Sequence, residues 1–203
     1  MITQPPAPAP HDPCRGCSGD RGRPGDDQRK PGCAGDRHAL TSGGVYSGAI
    51  PDAVSVVQLA LQAAGAAGDI KVFPEPVPTA AAAAETLGCE VGAIANSLVF
   101  EADGDALLVL ASGAHRVNTG RLARRLGTGK IRQAGPDFVL AHTGQSVGGV
   151  SPVGHPRPLR TVVDRALAAY PVVWAGGGDE RAMFATSYDE LVTITNGTPS
   201  DVD

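Results

Sequence analysis

Aromatic residues are scarce in this chain: one Trp, three Tyr and four Phe among 203 residues. An excess of positive charge is also missing, since 17 Lys and Arg stand against 21 Asp and Glu for a formal charge of −4. That balance excludes the overall basic footprint of a duplex-DNA binder. No apolar run reaches the roughly 18 residues that a membrane-spanning helix requires. The start, Met1-Ile2-Thr3-Gln4, leads into prolines and not into the apolar stretch of a secretory signal. Cysteine is nearly confined to the beginning, at Cys14, Cys17 and Cys33, with Cys89 alone further on. A lone later cysteine and no signal sequence set the expectation of a reducing, cytoplasmic setting.

What is present divides the chain in two. Residues 1–45 contain 7 Pro and 8 Gly and no aromatic residue. Such a segment buries too little apolar surface to offset its chain entropy, so a disordered Gly/Pro-rich tail is expected. Cys14, Cys17, Cys33 and His38 imitate the spacing of a zinc site, but nothing apolar surrounds them to pack around a metal, and none is expected. Residues 46–203 hold every aromatic residue, with 11 basic and 16 acidic side chains. That length suits one domain. Cys89, in Leu87-Gly88-Cys89, reads as a small core residue.

Periodicity predicts helices over Pro51–Ala67, from the Thr79 cap to Leu87, over Thr119–Leu126, from Pro136 through His142, and over Tyr188–Thr195. Strand-like runs are Ile70–Phe73, Ile94–Phe100, Leu107–Leu110, Ile131 onward, Val147–Val150, Leu159–Val163, Val172–Ala175 and Met183–Phe184. Asp103-Gly104 between two of these runs has hairpin chemistry. Irregular alternation with one clear hairpin predicts an α/β domain whose mixed sheet carries helices on it.

Standard catalytic signatures fail. A phosphate loop ending at Gly129-Lys130 would need Gly at Arg124 and a hydroxyl at Ile131. A nucleophile elbow around Ser151 would need Gly at Val153, and Pro152 holds Ser151 away from the helical region. No H-E-x-x-H occurs, and His115, His142 and His155 stand apart in the chain. Two unusual loops remain. Gly144–Pro156 carries four glycines and two prolines in thirteen residues, and Gly176-Gly177-Gly178 follows a strand-like run. Glycine there lets a backbone approach a ligand or another backbone closely.

Four segments in series then look familiar. Glu90–Phe100, Gly148–His155, Leu159–Ala168 with Asp164 inside, and Val173–Gly178 followed by Leu191–Thr195 resemble the motifs of the YbaK/prolyl-tRNA-synthetase-associated domain family. The resemblance covers roughly residues 50–200. It implies a single-domain mixed, mostly antiparallel sheet with flanking helices, and a metal-independent, cofactor-free hydrolase of mischarged aminoacyl-tRNA. In that family the G-x-x-x-P loop backbone, here Gly148, Gly149 and Pro152 with Ser151 between, holds the substrate near the scissile carbonyl. Water, helped by the terminal ribose hydroxyl, is the nucleophile.

Many members carry a lysine where this chain has Asn96, which can donate and accept but brings no charge. With Asn96 taken as a catalytic position, the resemblance places Ser97, Ser151, His155, Asp164, Gly176 and Gly177 around the substrate. For the tRNA, Arg116, Arg121, Arg124, Arg125, Lys130 and Arg132 cluster within 17 residues, and Arg157, Arg160 and Arg165 follow the glycine loop. Arg121, Arg124, Arg125 and Arg157 are the expected contacts. The partners implied are aminoacyl-tRNA, through its acceptor end, and an aminoacyl-tRNA synthetase; neither membrane nor DNA is expected. The leading expectation is a freestanding aminoacyl-tRNA deacylase. The alternative is a non-catalytic module that binds an aminoacyl or other small ligand, having lost the lysine.

Overall fold

Most helix ends coincide with capping residues in the computed structural model, which describes residues 52–203. Cys14, Cys17, Cys33, His38 and the expected tail over 1–45 lie outside the described residues. Helix α1 spans Asp52–Ala63. It ends before Ala67 because the chain turns at Gly65, φ 70°. Helix α2 (Ala80–Leu87) opens with the Thr79 side chain accepting from the Ala82 N–H and closes on Gly88 in the left-handed region. Helix α3 (Thr119–Leu126) uses Asn118 and Gly127 in the same two roles. Pro136 sits in the first turn of α4 (Pro136–Thr143), and Ser187 caps α5 (Tyr188–Thr195).

The strands are β1 (Ile70–Val72), β2 (Ile94–Ala102), β3 (Asp105–Ser112), β4 (Ile131–Gln133), β5 (Arg160–Asp164), β6 (Val173–Gly176), β7 (Ala182–Thr186) and β8 (Thr198–Ser200). They form one sheet in the order β1-β7-β6-β2-β3-β5-β8, with β4 also on β2. Pairs β1–β7, β6–β7, β2–β3 and β2–β4 are antiparallel; β2–β6, β3–β5 and β5–β8 are parallel. The expected mixed, mostly antiparallel sheet with flanking helices is found. Asp103 (φ 55°) and Gly104 (φ 88°) make the tight turn between β2 and β3.

Two features depart from the sequence reading. Val147 and Gly148 form a turn and not an extended segment, because Gly148 takes φ 97° and the Gly149 N–H bonds the Ser146 carbonyl at 3.1 Å. Strand β8 was hidden by Pro199, which an edge strand tolerates.

The core lies on both faces of β3, whose Leu108, Val109, Leu110 and Ala111 have no exposed surface. On one face Val57 and Leu61 of α1, Val139 of α4 and Leu191 of α5 pack with Ala95, Val99, Val150 and Val153. On the other, Leu122 of α3 packs with Phe100 and Val109, while Ala83 and Ala84 of α2 pack with Ile94 and Trp174. Each fully buried Leu or Val contributes about 1.5–3 kcal/mol before entropy is counted.

Candidate active site

Strand β2 has a continuous partner on one edge only. Strand β3 lies along Ala95–Ala102. The other edge is shared: β6 takes Ile94 and Ala95, and β4 takes Phe100 to Ala102. The two neighbours diverge because Pro136 starts α4 soon after β4 and the glycines from Gly176 turn the chain after β6. A gap therefore opens beside residues 96–99.

Strand geometry decides what faces the gap. The Val99 carbonyl accepts from the Ala134 N–H on the gap side at 3.3 Å, and the Ile94 carbonyl accepts from the Gly113 N–H on the β3 side at 2.8 Å. Backbone groups alternate in direction, so the Ser97 N–H and C=O point into the gap. The Ser97 Oγ is buried with no hydrogen-bond partner among the described residues. Two backbone groups of one residue thus stand free where no strand pairs, with its unpartnered hydroxyl buried beside them.

The cleft at this gap has two lobes. The smaller, about 250 Å³, is walled by Ala80, Ala83, Ile94, Asn96, Gly176 and Met183. The larger, about 530 Å³, is walled by Phe100, His115, Arg116, Thr119, Gln133 and Val139. Ser97, Leu98, Val147, Gly148 and Val150 border both. Side-chain alternation places Asn96 on the α2/α3 face with Ile94 and Phe100, and Ser97 on the glycine-loop face with Ala95 and Val99.

The glycine loop is held from within. Gln145, 3% exposed, accepts from the Ser151 N–H at 2.6 Å and donates from Nε2 to the Val153 carbonyl at 3.2 Å. The Thr143 hydroxyl, also buried, accepts from the Gln145 N–H at 3.0 Å. Nothing in the sequence singled out Gln145; its only signal is that it is the one amide side chain inside a glycine-rich loop. A Cβ on Gly149 would lie 2.7 Å from the Asp179 backbone, and one on Gly176 would lie 2.6 Å from the Val150 carbonyl oxygen. These glycines let two backbones touch.

Of the expected site residues, the structure brings Asn96, Ser97, Gly148 and Gly176 to the cleft. The others serve the frame. Gly149 packs on Asp179. Ser151 is fully buried and its Oγ accepts from the Val153 N–H. Pro152 and Arg157 line a separate cavity with Leu159. Gly177 donates its N–H to the Ala182 carbonyl at 2.7 Å. His155 sits beneath α1 near Ala53, Val56 and Ala60, and neither ring nitrogen has a hydrogen-bond partner among the described residues. Burial holds its pKa below the usual histidine value, opposed only in part by the Thr143 and Pro152 carbonyls. Those positions could not be told apart by sequence, because a turn of the loop sends neighbouring residues to opposite sides.

Asp164 is 1% exposed and borders neither lobe. One carboxylate oxygen accepts from the Ser112 N–H at 3.0 Å and lies 2.9 Å from His115 Nδ1; the other accepts from the Ala166 N–H at 3.1 Å. Arg121, Arg124 and Arg125 lie on α3, where Arg125 donates to the Asp201 carbonyl at 2.5 Å. Arg160 donates to the Leu126 carbonyl at the end of that helix, 3.1 Å. Cys89 is half-buried and away from both lobes, and burial pushes its thiol pKa up, the wrong direction for a nucleophile. Among the described residues no group of three or more His, Cys, Asp or Glu is placed to hold a metal ion, and no helix is long and apolar enough to cross a membrane.

Comparison with known proteins converges on one family. Residues 74–194 match the aminoacyl-tRNA editing domain. A crystal structure described as a candidate trans-editing enzyme for prolyl tRNA synthetase superposes with a TM-score of 0.72 at 39% identity, covering 76% of this chain and 98% of that one. The uncharacterized protein YwhH of Bacillus subtilis (strain 168) is 30% identical over 124 residues, 61% of this chain and 78% of YwhH. The proline–tRNA ligase of Xanthomonas axonopodis pv. citri (strain 306) is 30% identical over 134 residues, which is 66% of this chain but 24% of the ligase. The match to the ligase is thus confined to about a quarter of that protein. The open β2 edge and the braced glycine loop both lie within the matched residues, and the chain belongs to the aminoacyl-tRNA editing domain family, the YbaK family.

Proposed function

We propose that this chain is a freestanding deacylase that hydrolyses the ester of mischarged aminoacyl-tRNA in trans. The observation that carries this is the unpaired edge of β2, where the Ser97 N–H and C=O face a cleft bordered by Gly148. Those groups suit an aminoacyl ester: the N–H donates to a carbonyl oxygen, and the C=O accepts from an α-ammonium. The smaller lobe, walled by Ala80, Ala83, Ile94 and Met183, takes the amino-acid side chain. The larger lobe, with Arg116 on its rim, takes the terminal ribose and its phosphate, and Arg121 and Arg124 extend the positive charge along the acceptor end.

A second hydrolytic site of this kind has a physical purpose, because a synthetase pocket separates side chains by only about 1–3 kcal/mol per methylene. Water is the nucleophile, aided by the free ribose hydroxyl, and the reaction needs no metal. Asn96, on the wall of the smaller lobe, orients the substrate by hydrogen bonds in place of a charge. The same residue favours the second reading, a binding module that recognises aminoacyl groups without hydrolysing them.

A panel of differently mischarged tRNAs, incubated with the protein with and without a chelator, separates the two. Release of the amino acid from at least one tRNA, unchanged by chelator, is expected. Tight binding without release from any of them would favour the binding module.

A further inference from the structure

Resting on that reading, we propose that His115, oriented by the buried Asp164 carboxylate, is the proton-transfer group of the hydrolytic step. His115 follows β3 on the connection to α3 and stands on the wall of the larger lobe, which Ser97 and Gly148 also border. Its Nδ1 lies 2.9 Å from Asp164 Oδ2. Its Nε2 makes no hydrogen bond to a described residue, and its side chain is 31% exposed beside a partner that is 1% exposed.

The direction of dependence is informative. Asp164 is already anchored by the Ser112 and Ala166 N–H groups, so the carboxylate does not need the imidazole to hold its place. The imidazole, by contrast, has Asp164 as its hydrogen-bond partner among the described residues. A carboxylate accepting from Nδ1–H leaves Nε2 as the lone-pair nitrogen and stabilises the imidazolium that forms when Nε2 takes a proton. A ring fixed in this way on a cavity wall is arranged as a base and not as packing.

The step balances without a co-reactant. The ribose hydroxyl orients the water, and His115 Nε2 removes a proton from that water as its oxygen bonds to the ester carbonyl carbon. The carbonyl π pair moves onto oxygen, facing the Ser97 N–H. Collapse of this intermediate restores C=O and breaks the bond to the ribose oxygen, which receives the proton from His115 Nε2. The products are the free amino acid and uncharged tRNA.

The test uses the tRNA that the wild-type protein discharges, with His115→Ala and His115→Gln compared in single- and multiple-turnover assays. A positioned general base contributes about 10²–10⁴-fold, so kcat is expected to fall at least about a hundredfold while KM stays within about twofold. Added imidazole should restore part of the His115→Ala rate, an effect that a structural histidine would not show. Asp164→Asn should lower kcat as well; if it lowers the melting temperature, His115→Ala with imidazole rescue decides alone. An active wild type with His115→Ala at the same rate, or with a loss seen only in KM and not rescued, overturns the role of His115 and leaves the deacylase intact. A wild type that discharges no tRNA overturns the deacylase, and the role of His115 with it.

Discussion

The two walls of the cleft are built in opposite ways. Along 144–156 the backbone is irregular and its polar groups turn inward: Gln145 bonds Ser151 and Val153, and Gly149 and Gly176 allow backbone to rest on backbone. Along 113–126 the chain is half helix, and His115, Arg116 and Arg121 turn outward while Leu122 alone anchors α3 fully in the core. The first wall supplies shape and the second supplies charge. Substitutions at the backbone contacts of the first should therefore cost stability before they cost chemistry, and substitutions across from it should do the reverse.

The largest effect expected is on the shape wall. In Gly176→Ala the new Cβ meets the Val150 carbonyl oxygen at 2.6 Å, where neither backbone can easily give. Overpacking of this kind costs about 1–3 kcal/mol, and the shift of Val150 should also deform the cleft. A melting temperature several degrees lower, together with weakened deacylation, is the expected result. Gly148→Ala is the contrast: nothing lies within 4 Å of its Cβ, so only the φ of 97° is strained. It should melt closer to wild type yet still discharge tRNA more slowly, because Gly148 borders both lobes. Equal melting losses in the two variants would erase the distinction between backbone contact and conformational strain.

Next comes Asn96, whose side chain belongs to the α2/α3 face. Losing its hydrogen bonds to substrate in a desolvated cleft should cost about 1–3 kcal/mol. That is roughly a ten- to hundredfold lower rate in Asn96→Ala, with melting unchanged. Asn96→Lys sharpens the result: a gain in rate would show that the cleft is otherwise complete and lacks only the charge. A high wild-type rate untouched by Asn96→Ala would remove this position from the mechanism.

The smallest effect concerns acid. Burial lowers the His155 pKa in the folded protein, so below the ordinary histidine value near 6.5 the unfolded chain takes up the proton first. Stability should fall as pH drops through that value toward the folded pKa, and His155→Gln should flatten this part of the profile. Thermal melts from neutral pH downward check it. A slope identical in His155→Gln would assign the acid sensitivity to other groups.

Much of the fold was legible because its signals are local. Thr79, Ser187, Gly88 and Gly127 act on backbone groups within about one turn of themselves, so helix ends could be read along the chain. The Asp103-Gly104 turn is equally short-range, and the order of the family's motifs pointed to Asn96, Ser97 and Gly148, which line the cleft. Ser151, Pro152 and His155 share the motif, but the loop folds them away from the cleft onto Gln145, Leu159 and α1, a placement no local signal shows.

The amino-acid sequence by itself determined where helices start and stop, which residues alternate across β2, and which family the motifs spell. Tertiary structure alone decided that β6 and β4 flank β2 at different registers and leave Ser97 unpaired between them. It also decided that Asp164 meets His115 across 49 residues of chain. The physical reason is range: capping, turn and alternation energies depend on residues a few positions apart, whereas an open strand edge and a buried carboxylate–imidazole pair exist only once distant segments have packed.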